Sequence, residues 1–324
     1  MSAEIIMDGA WPDLFDGFVS YKRGLGHAYP KSSVFHVRRL SRHLAGFLPA
    51  ENVMSQEMAE AFYAPDGRRS AGTLRQRRGL VRQFALFLRW RGIDCWVPPE
   101  TGEHMPEPRF TPRIITAEEM ARIISWADQD QPSSWSPTRN IVFATMIRVL
   151  WCCGLRIGEA AGLTVADVDL VAGVLTIRRA KHNHTRLVPM SATLAHDMND
   201  YTARMGLSAT DGGHAFFPSR RGLPYTTMAA SNRVRTIMAA AGVTTDGVHP
   251  PRAHDIRHSY AVHALQKMEA DGTDPYTSLP LLSTVMGHRT IQATEYYLRL
   301  TGPMSDAAAE RMADCYQHTF PEVD

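Results

Sequence analysis

Apolar residues recur at helical spacing along the first part of the chain: Leu14, Phe15, Phe18 and Val19, then Val34, Leu40, Leu44 and Phe47, then Leu74, Leu80, Val81, Phe84 and Leu88. The pattern has a period near 3.6 with no alternating run, and it predicts a small helical bundle. The periodicity stops between Pro98 and Pro112, where five prolines and Gly102 predict an extended linker. It resumes at Thr116, where Glu118 and Glu119 place carboxylates in the first turn of a new helix. Asn140 to Cys153 reads as a buried helix ended by Gly154, and another begins within Leu155–Ala161. Gly173–Arg179 and Thr185–Pro189 alternate instead, and predict a β-hairpin with Lys181 near its tip. Helices follow over Ala192–Met205, Thr226–Ala241 and Ala253–Met268, the last with Ile256, Tyr260, Ala264 and Leu265 on one stripe. After Gly302-Pro303, Ser305 can cap a terminal helix whose stripe is Ala308, Met312, Tyr316 and Phe320. The expected fold is mainly α with a small β-hairpin: a helical domain over 1–97, a linker over 98–112, an α+β domain over 113–302 and a C-terminal helix over 303–324.

The 324 residues suffice for two cores, and a net charge of +2 leaves the partner to be read from local charge. Between Arg68 and Arg91 stand eight arginines and no acidic residue. Such a run can be a solvated face, but a one-signed, arginine-only excess suits phosphates. Arg75, Arg77, Arg78, Arg82 and Arg89 are therefore expected to contact DNA. Arg38, Arg39 and Arg42 form a smaller basic patch, and Arg233 and Arg235 could track a phosphate backbone. Cys95, Cys152, Cys153 and Cys315 lack CxxC spacing and read as reduced thiols. The N-terminus has no signal pattern and no apolar run nears ~18 residues, so a soluble cytoplasmic protein is expected.

The chemistry concentrates between Pro251 and Tyr297. His254 and Arg257 leave one face of their helix, an imidazole beside a guanidinium fork, which suits proton transfer next to a phosphate oxygen. Arg156 follows a fully apolar segment and needs a partner, which Glu159 can supply; that pair could also be purely structural. A tyrosine of pKa about 10 needs a base and a cationic setting before it attacks phosphorus. Arg156 and Arg257 can neutralise the non-bridging oxygens, a task other phosphoryl-transfer enzymes give to metal ions. His254 fits as proton acceptor, His288 as a donor to the same phosphate, and Lys181 as the acid for the leaving 5′ oxygen if its hairpin reaches the cleft.

Gly154-Leu155-Arg156-Ile157-Gly158-Glu159, the Lys181 hairpin ending in Val188-Pro189, His254-x-x-Arg257, Gly287-His288 and Tyr297 resemble, in order and spacing, the motif set of the tyrosine site-specific recombinases, the phage integrase family. Tyr297 lies nine residues after His288, as in the family pattern, although Tyr296 precedes it directly. His182 and His184 depart from the pattern, which has glycine and lysine in the hairpin. The resemblance implies a core-binding and a catalytic domain acting on double-stranded DNA, with catalytic residues Arg156, Lys181, His254, Arg257, His288 and Tyr297 supported by Glu159. It also implies a 3′-phosphotyrosine intermediate, no nucleotide or metal cofactor, a homo-oligomer (a tetramer on paired sites), a mobile-element origin, and a tail that docks on a neighbouring protomer. The tail could instead pack on its own domain.

Rival readings explain less. A metal site could use His254 and His258 at i and i+4 with His182, His184, His249 or His263, but there is no His-Glu-x-x-His pattern and the paired arginines would be unexplained. A type IB topoisomerase would share the tyrosine chemistry, yet the chain runs on past Tyr297. A DNA-binding protein that never cuts gives no reason for the ordered constellation.

Overall fold

A computed structural model describes residues 7–47, 53–100, 112–178, 185–244, 250–288 and 290–298. The chain divides into two compact units, Met1–Phe110 and Thr111–Asp324. Lys181, His182, His184, His249, most of the proline-rich stretch and the expected terminal helix lie outside the described residues.

The first unit holds helices α1 (Pro12–Gly24), α2 (Lys31–Ala45), α3 (Gln56–Tyr63) and α4 (Ala71–Trp90). Ser55 and Ser70 cap α3 and α4, each side chain accepting from the backbone N–H three residues on. The apolar stripes meet as the periodicity predicts, with Phe15, Phe18, Val37, Leu40, Leu44, Val81, Phe84 and Leu88 all buried. Phe15 and Phe84 stack at 4.0 Å between ring centroids. Phe47 departs from its expected stripe: α2 ends at Ala45, and the ring stays exposed beyond it.

The second unit is helical around a three-stranded antiparallel sheet of order β1-β2-β3, formed by Val168–Asp169, Val174–Ile177 and Arg186–Pro189. The hairpin strands pair Val174 with Pro189 and Ile177 with Arg186. The two-residue β1 was too short to show alternation. Helices α5 (Ala117–Gln129), α6 (Arg139–Cys153), α7 (Ile157–Ala161), α8 (Ala192–Met205) and α9 (Thr227–Ala240) enclose the main core. Thr116 and Glu119 form a reciprocal capping box at the start of α5. Arg233 pairs with Asp130 at the end of α5 and ties α9 to it.

Helix α10 (Ala253–Ala270) spans two cores. Ala253 and Ile256 join the main one, while Ala261, Val262 and Leu265 join a smaller cluster with Leu279, Leu282 and Met286 of α11 (Pro275–Met286) and Tyr297 of α12 (Gln292–Leu298). The start of the unit is fastened to α10 as well: the Ile115 N–H donates to Ser259 Oγ at 2.7 Å, and His263 Nε2 lies 2.9 Å from the Ile115 carbonyl. The junction of the two cores falls at Arg257 and His258, so both residues sit where three elements converge.

Candidate active site

Three guanidinium groups gather on one carboxylate. Glu159, near the start of α7, accepts from Arg156 Nη1 at 2.8 Å and from Arg186 Nη1 and Nη2 at 3.1 and 2.7 Å. It also caps its own helix by accepting from the Arg156 backbone N–H at 3.0 Å. Arg257 Nη1 stands 4.0 Å from the same carboxylate. Burial opposes ionisation of Glu159, but the hydrogen bonds from Arg186 and Arg156 overcome it and hold the carboxyl at about 2. The site therefore keeps a surplus of two positive charges.

Backbone carbonyls take four more of the guanidinium donors. Arg257, only 2% exposed, donates to the Gly154 carbonyl at 2.7 Å and the Met286 carbonyl at 2.6 Å. Arg156 Nη2 reaches the Gly287 carbonyl at 3.0 Å, and Arg186 Nε the Val285 carbonyl at 2.7 Å. Carbonyls fix these groups without cancelling their charge. Burial lowers the Arg257 pKa to about 10, and Arg156 adds to the effect; the group stays protonated at neutral pH. Two glycines make the convergence possible. Gly154 ends α6 at φ +60°, where a Cβ would stand 2.2 Å from the Tyr260 ring; Gly287 ends α11 at φ +65°, where a Cβ would meet the Arg186 guanidinium at 2.9 Å.

Tyr297 lies against this cluster and is 3% exposed. Its hydroxyl is 2.8 Å from Nδ1 of His258, and its ring lies parallel to that of His288 with centroids 6.2 Å apart. Burial raises the phenol pKa, while Arg257 and Arg156 pull it the other way. His288 Nδ1 is 2.8 Å from the hydroxyl of buried Thr294, which leaves Nε2 as its outward nitrogen. The His254 ring meets that of His258 edge-on, centroids 4.5 Å apart. His254 has much of its own surface exposed yet is ringed by protein, and this partial burial, then Arg257, lowers its pKa. Burial first, then the neighbouring histidines and arginines, lowers His258 to about 3; burial and the arginines lower His288 to about 4.

Arg156, Glu159, His254, Arg257, His288 and Tyr297 are thus brought together, with Lys181 outside the described residues. Tyr296, the alternative nucleophile, is only partly buried and edge-on to Tyr297. Arg186, His258 and Thr294 were not read from sequence as members of the site. Arg186 had a legible signal: it shares a strand face with buried Val188, and an arginine on a core-facing position needs partners.

The family model described as "Phage integrase family" matches residues 113–317, well over half of the chain. The chain belongs to the phage integrase family. Among curated relatives, this integrase-family chain is 28% identical over 234 residues to tyrosine recombinase XerD of Chlorobaculum tepidum, covering 71% of each chain. It is 27% identical over 302 residues to tyrosine recombinase XerC of Rhizobium meliloti, covering 91% of this chain and 87% of that one. Among solved structures, it resembles the XerH site-specific recombinase bound to palindromic difH substrate, with TM-score 0.67 and 17% identity over 94% of this chain and 97% of that chain. It also resembles the Tn1549 transposon integrase in complex with transposon right end DNA, with TM-score 0.66 and 16% identity over 93% of this chain and 99% of that one. These likenesses establish a tyrosine-recombinase fold.

In this family member the arginines of α4 divide by environment. Arg77 is buried: its Nη1 donates to the Phe62 carbonyl at 2.9 Å and its guanidinium lies over the Phe62 ring, so its place suits packing of α4 on α3 rather than a phosphate. Arg78 and Arg82 donate to the carbonyls of Pro99 and Pro98 at 2.7 and 2.5 Å, and Arg89 to that of Cys95 at 3.2 Å. These bonds fasten the chain leaving α4 back onto the helix. In the smaller patch Arg38 and Arg42 share Asp8, both at 2.5 Å. Among the described residues no three His, Cys, Asp or Glu side chains are grouped to hold a metal ion, and no helix is long and apolar enough to cross a membrane.

Proposed function

We propose that the protein is a site-specific DNA recombinase that cleaves and rejoins strands through a 3′-phosphotyrosine intermediate formed on Tyr297. The observation that carries the reading is one buried phenol set beside Arg156 and Arg257, within a cluster holding two more positive than negative charges. A phosphodiester carries one negative charge and gains a second as the tyrosine oxygen adds to phosphorus. A fixed surplus of two therefore favours the transition state over the bound ground state. Arg156 and Arg257 take the non-bridging oxygens, His288 donates from Nε2, and Lys181 protonates the leaving 5′ oxygen. Glu159 and Arg186 hold the arginines in place. The bond energy stays in the phosphotyrosine link, so the reaction as proposed calls for no nucleotide.

The proposed division of the chain is a DNA-gripping helical domain over 1–97, a linker over 98–112, a catalytic domain over 113–302 and a docking helix over 303–324. The family match beginning at residue 113 supports the second boundary. The partner is double-stranded DNA, through Arg75, Arg78, Arg82 and Arg89 among others. The working form is a homo-oligomer, a tetramer on paired sites, and the fold of the Tn1549 transposon integrase supports service to a mobile element.

The test is the polarity of the trapped adduct. Cells expressing the protein are lysed in denaturant, and DNA covalently attached to it is purified and sequenced. The attached DNA should resist a 3′ exonuclease at the joined end. The broken strand should carry a 5′ hydroxyl that polynucleotide kinase labels without prior phosphatase. Absence of any adduct, or attachment through a 5′ phosphate, would overturn the reading.

A further inference from the structure

The hydroxyl of Tyr297 has a definite partner, and it is not the histidine that sequence spacing favoured. We propose that His258 takes the proton from the Tyr297 hydroxyl as that oxygen attacks phosphorus, and returns it when the strands are rejoined. The proposal rests on the recombinase reading above and names the proton acceptor within it.

A general base must stand within ~2.6–3.2 Å of the group it deprotonates. Nδ1 of His258 meets this at 2.8 Å, and among the described residues it is the hydrogen-bond partner of the Tyr297 hydroxyl. The position follows from the fold. His258 comes one residue after Arg257 on α10, at the junction of the two cores, and the α11–α12 turn returns Tyr297 to its side. His254 packs behind His258, its ring edge-on to it.

The charge around the ring supports the acceptor role. Burial first, then His254 on α10, Arg252 at its N-cap, Arg257 on α10 and His288 after α11, oppose a positive charge on His258, so the imidazole is neutral at physiological pH. A neutral ring with its proton on Nε2 offers Nδ1 as acceptor. Arrival of the scissile phosphate among Arg156 and Arg257 offsets the guanidinium fields that oppose protonation, so the substrate itself raises the basicity of His258. In cleavage the Tyr297 oxygen–phosphorus bond forms as the phosphorus–O5′ bond breaks. The phenol proton passes to Nδ1, and the leaving oxygen takes a proton from the separate acid proposed above. In rejoining, the 5′ hydroxyl returns its proton to that acid as its oxygen bonds to phosphorus, the Tyr297 oxygen–phosphorus bond breaks, and the imidazolium gives its proton back to the departing phenolate.

The test uses the full chain and a nicked form of the DNA site recovered from the adducts, with single-turnover cleavage as the readout. His258→Gln keeps a hydrogen-bonding side chain but removes its basicity. It should bind the site as wild type does and form adduct about 10²–10⁴-fold more slowly. Two further readouts separate proton transfer from packing. A substrate with sulfur at the bridging 5′ position has a leaving group that needs no acid, so it should leave the His258→Gln defect in place. A fluorinated tyrosine at position 297, with a more acidic phenol, should recover part of the missing rate. A His258→Asn chain, with the same expected outcomes, serves if the glutamine chain does not fold. Cleavage within about threefold of wild type, full rescue by the 5′ sulfur, or no response to the fluorinated phenol would each overturn the proposal. A wild-type chain that forms no adduct removes the recombinase reading instead, and the proposal with it.

Discussion

At the scale of single residues, the doublet Tyr296-Tyr297 resolves into two environments. Tyr297 is buried with its hydroxyl on His258, while Tyr296 packs at the edge of the small core. Tyr297→Phe should therefore abolish covalent adducts and leave DNA binding intact, whereas Tyr296→Phe should cleave normally; gel analysis of nicked-site reactions separates the two. The histidines of the site also set an acid limit on folding. His258 and His288 have native pKa values of about 3 and 4 against an ordinary 6.5, so the unfolded chain binds more protons between those values. Their contribution is complete above pH 6.5 and is lost as pH falls towards 4 and then 3. Glu159, lowered from 4.5 to about 2, adds a further loss below pH 4.5. Urea unfolding followed at pH 7.5, 6 and 5 should show a midpoint that falls on acidification. A midpoint that rose would contradict the neutral imidazoles described here.

At the scale of elements, α4 carries two kinds of arginine that composition alone cannot tell apart. Arg77→Ala should cost about 1–3 kcal/mol of stability, because the Phe62 carbonyl loses its buried donor. Its effect on the salt dependence of DNA binding should be small. Arg75→Ala combined with Arg78→Ala should instead flatten that dependence by about 0.9 in log–log slope for each phosphate no longer neutralised. Equal salt slopes for the two variants would refute the distinction. The longer helices were legible from their apolar stripes, and α5 also from the capping pattern at Thr116, whereas α3 and α12, of eight and seven residues, are too short to show a stripe. Helix α11 was not legible, because Pro280 stands in its interior and interrupts the pattern that announces a helix. The site was legible wherever chemistry and spacing coincide, as in His254-x-x-Arg257. His258 was visible only as a helix neighbour of His254, since its meeting with Tyr297 depends on how α12 returns to α10, and no local pattern encodes that return.

At the scale of the whole molecule, the chain is two units with separate cores and a C-terminal tail rich in acidic residues. From Ser305 onward there are five acidic residues and one arginine, so the tail is a poor DNA ligand. Ending the chain after Pro303 should leave a folded protein that still occupies a single site but no longer assembles on paired sites or recombines, as band-shift and recombination assays would show. A truncated chain that recombines normally would dismiss a docking role, and one that fails to fold would favour packing of the tail on its own domain. The small cluster formed by α11, α12 and the distal half of α10 has a consequence of its own. Tyr297 belongs to a group of side chains distinct from the main core, and such a group can open as a cooperative unit while the rest stays closed. Amide hydrogens of α11 and α12 should then exchange with deuterium ahead of those in α6, and DNA that engages Tyr297 should slow them selectively. The clock that limits when the tyrosine becomes available would be set by a local opening rate, and substitutions at Leu279 or Leu282 could retime the enzyme without touching a single reacting atom.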